Sequence, residues 1–219
     1  MRGTFAPEIR TGEPTQLVIH LGNEIAQRRL RVWCRGILFT HGTRPLAERL
    51  RERLARPAFR IYVSDDVAGA EIGGAVKNVL AIACGVVEGK GLGQNARAAL
   101  IGRGFAEMTR FGLACGARRE TLAGLSGLGD LVLTCTSTSS RNYSLGFGLG
   151  EGRSASELMA DRRTVAEGAF TAPVLARLAR EKGVDMPIVD AVAALIEGRA
   201  STDEVLAALL SRPPRSEAV

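Results

Sequence analysis

The residue most out of place along the chain is Lys77. It is one of three lysines among 29 cationic side chains. Together with Asn78 it interrupts an otherwise apolar helical run, Glu71-Ile72-Gly73-Gly74-Ala75-Val76-Lys77-Asn78-Val79-Leu80-Ala81-Ile82-Ala83. Burying an unpaired ammonium in such a run is costly, and the usual response is a lowered pKa, which makes a lysine a general acid or base. The same pattern also suits a lysine that snorkels to the surface or closes an internal salt bridge. A second group is Gly127-Leu128-Gly129-Asp130-Leu131, with Ser140-Arg141-Asn142 following. The glycines allow close approach of backbone to a ligand, and Asp130 would orient Lys77 or bind a substrate hydroxyl. A hydroxyl, a guanidinium fork and an amide in succession at a helix start offer phosphate-binding chemistry, although an N-cap serine followed by a surface arginine reads the same way. Two glycine runs, Gly89-x-Gly91-x-Gly93 and Gly146-x-Gly148-x-Gly150-x-Gly152, resemble nucleotide loops. Neither follows a strand and opens a helix within a βαβ unit, so both read as turn or close-packing signals. No G-x-G-x-x-G stands near the start of the chain.

The elements that must hold these groups change character near Glu71. Before it, Gln16–Leu21, Ile37–Thr40 and Phe59–Val63 read as strands, and Pro45 through Leu54 reads as an amphipathic helix with Leu46, Leu50 and Leu54 on one face. After it the pattern is helix after helix. Ile72, Val76, Val79, Leu80, Ala83 and Val87 form one long stripe, and the segment is apolar on nearly all sides, as a helix at the centre of a bundle would be. Asn95 is a candidate N-cap for a second helix ended by Gly116, with shorter helical pieces at Thr121–Leu125 and Asp130–Cys135. Toward the end, Thr171–Lys182 stops at Gly183, Pro187 opens a helix through Ile196, and Ser201-Thr202-Asp203-Glu204 is a capping box. The expected division is a first part at 1–70 and an all-helical domain at 71–219.

Composition narrows the partners. The 219 residues are 46% hydrophobic and 24% charged, a globular balance. The net charge of +6 invites a nucleic-acid or membrane-surface reading, but residues 1–60 carry twelve Arg and five Glu, so the excess belongs to one end and mostly to a solvated helix face. The expectation is no nucleic acid and no membrane partner. Cysteines at 34, 84, 115 and 135 show no C-x-x-C, and the two histidines, His20 and His41, complete no zinc pattern. Cys84 and Cys115 read as small core residues of a reducing compartment, and with no signal peptide or apolar run of membrane length the chain is expected in the cytoplasm.

The run from Ser64 to Leu210, with S-D-D-V, G-G-A-V-K-N-V-L-A-I-A, G-L-G-x-N-A-R-A-A-L-I, G-L-G-D-L-V-L-T-C-T, S-R-N, V-A-E-G and M-P-I in order, resembles the C-terminal domain of prokaryotic-type NAD(P)-dependent glycerol-3-phosphate dehydrogenase. The resemblance implies a mainly α fold, an all-helical substrate domain of the 6-phosphogluconate dehydrogenase C-terminal-like kind preceded by an incomplete α/β Rossmann segment. It implies reversible hydride transfer between sn-glycerol 3-phosphate and dihydroxyacetone phosphate, feeding glycerophospholipid synthesis, with NAD or NADP as cofactor. Carried over by position, Lys77 is the catalytic lysine. Asp130, Ser140, Arg141 and Asn142 are substrate-binding, Arg141 also lies near the cofactor, and Val165 and Glu167 contact the cofactor. Ahead of them, Arg2-Gly3-Thr4-Phe5-Ala6 keeps the end of a family G-P-S-F-A segment, with Thr4 at a substrate position and Ala6 at a cofactor position. The chain departs from the family in lacking the glycine loop and a second substrate lysine, and residues 23–45 match nothing recognised in it. Two other readings stay open: an inactive truncated fragment serving as a helical interaction domain, and a basic-arm nucleic-acid binder. A homodimer also stays open.

Overall fold

A computed structural model describes residues 37–40, 44–56, 60–160 and 166–212. The chain divides into two compact units, 1–63 and 64–219. The first holds β1 (Ile37–Thr40) and α1 (Arg44–Leu54), and β2 (Ile61–Ser64) pairs with β1 in a two-stranded sheet. This is a β-α-β order in the place where an incomplete α/β segment is expected. The Gln16–Leu21 segment read as a strand lies outside the described residues, as do 23–36 and 41–43.

The second unit is entirely helical among the described residues. Its centre is α2 (Val67–Gly89), followed by α3 (Gly93–Ala114), α4 (Arg119–Ala123), a π turn (Leu125–Gly129), α5 (Asp130–Thr136), α6 (Arg141–Gly150), α7 (Ala155–Leu158), α8 (Glu167–Glu181), α9 (Pro187–Ile196) and α10 (Thr202–Leu210). Helix α2 packs against α3, α5, α6, α8 and α9, which is why it is apolar on nearly every side. Val76, Val79, Leu80, Ala81 and Ile82 are all but inaccessible. By length and composition α2 could cross a membrane, yet it is the core of this bundle, with most of its apolar window buried.

Helix α2 begins at Val67, four residues before the change of pattern at Glu71, because Asp66 caps it. Asp66 Oδ1 accepts the Gly69 N–H and Oδ2 accepts the Arg118 N–H, each at 2.8 Å. Burial works to raise the Asp66 pKa, but these backbone donors, a hydrogen bond with Thr121 and the Arg118 charge outweigh it and hold the carboxyl below its ordinary value. Helix α3 begins at Gly93, so Asn95 lies in its first turn rather than at its cap; Gly91 (φ 68°) and Gly93 (φ 85°) turn the chain before it. The capping box at Ser201 is present, and α9 starts at Pro187 as read from the sequence. Cys115 follows α3 at an intermediate position, whereas Cys84 and Cys135 are buried, and all three are free.

The second glycine run turns out to be a helix-packing device. Gly146 and Gly150 of α6 face Gly85 and Gly89 of α2 with the backbones in contact. A Cβ on Gly146 would press on the Ile82 peptide, 2.7 Å from its carbonyl carbon, and one on Gly150 would lie 2.6 Å from the Val86 carbonyl oxygen. Gly146→Ala is therefore expected to lower stability by about 1–3 kcal/mol through overpacking. Gly102→Ala, on an open stretch of α3 where a Cβ meets nothing within 4 Å, is expected to gain up to about 1 kcal/mol from helix propensity. Urea midpoints decide the matter, and equal midpoints for the two variants would refute the close crossing.

Candidate active site

Asp130 reaches Lys77 because of the turn before it. The π turn presses on α2 at Gly73, where a Cβ would stand 3.1 Å from Gly127 Cα, and Gly127 in turn packs on the Leu122 carbonyl. Gly127 thus serves backbone-to-backbone packing, whereas a Cβ on Gly129 would meet only ordinary contacts. Gly73 lies one helical turn before Lys77 on the same face of α2, so a chain seated there delivers the first residue of α5 to the lysine. Single π turns recur at functional sites.

The Lys77 ammonium and Asp130 Oδ2 form an ion pair, with 6% and 0% of their side chains exposed. The small accessible fraction lies on the lysine, so a reactant meets the pair from that side. Thr134, one turn along α5, has its Oγ1 2.8 Å from the Asp130 carbonyl oxygen and 3.1 Å from Asp130 Oδ1, and its proton is shared between them. Buried ion pairs add little net stability, since desolvation offsets the attraction. Nearby, a hydrogen bond with the Cys84 thiol, together with burial, pushes the Cys135 thiol well above its usual range, so it does not compete as a nucleophile.

The second half of the site is the start of α6. Ser140 caps the helix, its Oγ accepting the Tyr143 N–H at 3.4 Å. Arg141 is exposed, and among the described residues no carboxylate pairs with it. Asn142 is buried and its Oδ1 accepts the Gly168 N–H at 2.8 Å. Next to Lys77, Asn78 Nδ2 donates to Glu167 Oε2 at 3.3 Å. The structure thus gathers Lys77, Asp130, Asn142 and Glu167 through neighbours that touch one another, with Ser140 and Arg141 opening the same helix. Thr4, Ala6 and Val165 lie outside the described residues.

Three residues of this cluster were not singled out from the sequence. Asn78 was visible as an amide in an apolar run. Thr134 carried no signal apart from its spacing of four from Asp130, and Gly168 none, since the sequence reads that helix as starting at Thr171. Among the described residues, no group of three or more His, Cys, Asp or Glu side chains is placed to hold a metal ion.

Residues 66–207 match the family described as NAD-dependent glycerol-3-phosphate dehydrogenase C-terminus. The glycerol-3-phosphate dehydrogenase (NAD(P)+) of Novosphingobium aromaticivorans is 63% identical over 214 residues, covering 98% of this chain and 59% of that protein. One from Sphingopyxis alaskensis is 59% identical over 214 residues with the same shares of each chain, 98% and 59%. These matches run through residues 23–45. The crystal structure of glycerol-3-phosphate dehydrogenase from Coxiella burnetii superposes with a TM-score of 0.77 at 40% identity, over 81% of this chain and 55% of that one. The Saccharomyces cerevisiae enzyme gives 0.67 at 28% identity, over 78% and 52%. The chain spans less than two thirds of the length of these relatives. With the buried lysine–aspartate pair and the Ser140–Asn142 helix start inside the matched span, the chain belongs to the NAD-dependent glycerol-3-phosphate dehydrogenase family through that family's C-terminal domain.

Proposed function

We propose that this chain carries the substrate-binding and proton-transfer part of a glycerol-3-phosphate dehydrogenase, acting on sn-glycerol 3-phosphate and dihydroxyacetone phosphate in the cytoplasm with NAD or NADP. The observation that carries the reading is the Lys77–Asp130 pair, closed to water except on the lysine side and set beside a helix that opens with an exposed arginine. Asp130 holds the ammonium in one direction. In reduction, Lys77 Nζ gives a proton to the carbonyl oxygen of dihydroxyacetone phosphate as C2 gains a hydride, so the C=O becomes H–C–O–H. In oxidation the lysine takes the C2 hydroxyl proton. The start of α6, with the Arg141 guanidinium and the Asn142 amide, takes the phosphate.

The described residues fit the nicotinamide end of the cofactor: Arg141 offers an exposed guanidinium and Glu167 an exposed carboxylate at the start of α8. A bound nicotinamide supplies or accepts the hydride. The chain's own contribution is to orient the substrate, exclude water from Asp130 and move the proton at Nζ.

Isothermal calorimetry with glycerol 3-phosphate and with glycerol tests the assignment. Glycerol 3-phosphate should bind far more tightly than glycerol, and Arg141→Ala should weaken it about tenfold or more, the effect of a lost charge-assisted bond. Equal affinity for the two ligands, or an Arg141→Ala chain that binds as well as the parent, would refute the phosphate site.

A further inference from the structure

The carboxamide of Asn142 has two sides, and among the described residues the fold uses its oxygen side. Its Oδ1 accepts the Gly168 N–H at 2.8 Å. That N–H is one of the first donors of α8, which have no intrahelical partner, and α8 starts at Glu167 with no side-chain cap of its own. The cap comes instead from α6. An amide whose oxygen is committed in this way presents its two N–H donors on the other side. Asn78, on the helix that carries Lys77, donates Nδ2 to Glu167 Oε2 at 3.3 Å. Gly168 fits between the two asparagines so closely that a Cβ would lie 2.5 Å from the Asn78 carbonyl oxygen and 3.0 Å from Asn142 Oδ1. The first turn of α8 is therefore gripped by two carboxamides, one beside the lysine and one beside Arg141.

We infer that Asn142 and Asn78 couple the two ligand sites: a phosphate taken up by Arg141 and Asn142 Nδ2 tightens the first turn of α8 and so fixes Glu167. The identity of the ligands rests on the function proposed above, whereas the coupling rests on the contacts themselves. A fixed amide cannot rotate away from Gly168 while it holds an anion, so occupation of one side stabilises the bond on the other. The effect is reciprocal, and whatever holds Glu167 in place raises the affinity for the anion by the same factor. In this coupling both asparagines are positioning residues for α8.

Amide hydrogen exchange at Gly168 in the full chain, measured with and without glycerol 3-phosphate, reads the coupling without requiring turnover. In the parent chain the ligand should slow Gly168 exchange about fivefold or more. Asn142→Ala should speed exchange about fivefold in the free chain and abolish the response. Asn142→Asp keeps an acceptor for Gly168 but replaces the donor on the ligand side with an oxygen. It should leave Gly168 protected in the free chain and still lose the ligand response, which a purely structural role would not produce. Asn78→Ala should shrink the response at Gly168 and weaken glycerol 3-phosphate binding by no more than that same coupling factor, about fivefold. If glycerol 3-phosphate binds and Gly168 does not respond, or if Asn142→Asp responds like the parent, the coupling is overturned and the phosphate assignment stands. Absence of binding overturns both.

Discussion

Replacing Lys77 by methionine is expected to lower the stability of the chain by about 3–5 kcal/mol, and adding Asp130→Asn to the same chain is expected to recover most of the loss. Methionine is close to lysine in length and fills the same channel in the helix bundle, so little of the effect comes from a cavity. The loss comes from Asp130. Its side chain has no exposure to solvent, and without the ammonium a carboxylate charge stays in the core with no cation beside it. Neutralising both residues removes the charge and leaves two polar or apolar groups of similar volume. The double-mutant cycle therefore carries a large coupling energy, while each single variant is poor. Activity follows a different course. Under the function proposed above, turnover of dihydroxyacetone phosphate with reduced nicotinamide should fall by about 10²–10⁴ in Lys77→Met and stay there in the double variant, because the proposed proton donor is gone in both. Urea unfolding of the four chains and a nicotinamide absorbance assay separate the two effects. If the double variant is as unstable as Lys77→Met, the burial of Asp130 is not what the lysine offsets.

Much of this arrangement was legible in the sequence, and the failures have physical causes. The central helix showed itself because a segment surrounded by other helices must be apolar on all sides, and in such a run an ammonium is conspicuous. Asp130 was legible as a candidate, with Lys77 as one of its two possible partners, but no spacing rule connects α2 to a residue some fifty positions on and so none could choose between them. The link is made by backbone packing of Gly73 on the π turn, and π turns leave no periodic trace. The start of α8 misled in an instructive way. The sequence reads this helix as Thr171–Lys182, yet α8 begins at Glu167 and carries Pro173 inside it. Its cap is the side chain of Asn142, 26 positions earlier. A helix capped from another helix gives no local signal, and that is why Gly168 and the link from Asn78 to Glu167 emerged only in three dimensions. The glycine run from Gly146 was read as a turn or close-packing signal, and it does both: Gly146 and Gly150 pack on α2, while Gly152 ends the segment at φ 91°.

One buried group outside the site sets a strong pH dependence. Glu107 on α3 is 2% exposed and caps α9 from across the bundle, its Oε1 accepting the Ile188 N–H at 2.8 Å and its Oε2 the Val189 N–H at 3.3 Å. The sequence held a clue, because Glu107 falls on the same helical face as Gly104, Met108 and Phe111, all buried. Burial raises its pKa from 4.5 to about 7, against the pull of the two backbone donors and of Arg110, with Asp185 adding to the rise. Below pH 4.5 the carboxyl is protonated in the folded and unfolded chains alike, and well above 7 it is ionised in both. Between those values only the folded chain holds the proton. The stability that this group contributes is therefore fully present below 4.5 and is lost as the pH rises through about 7, a change of about 3 kcal/mol. Glu107→Gln keeps an acceptor oxygen for the helix and has no proton to lose. Across a series of urea midpoints from pH 5 to pH 8, the glutamine chain should gain on the parent by most of that amount. A difference that stays constant over the series would show that Glu107 ionises like a surface carboxylate. Glu107→Ala distinguishes the charge from the cap: it strips the acceptors from both N–H groups and opens a cavity, so it should be destabilised by about 3 kcal/mol even at pH 5, where the glutamine variant is close to the parent.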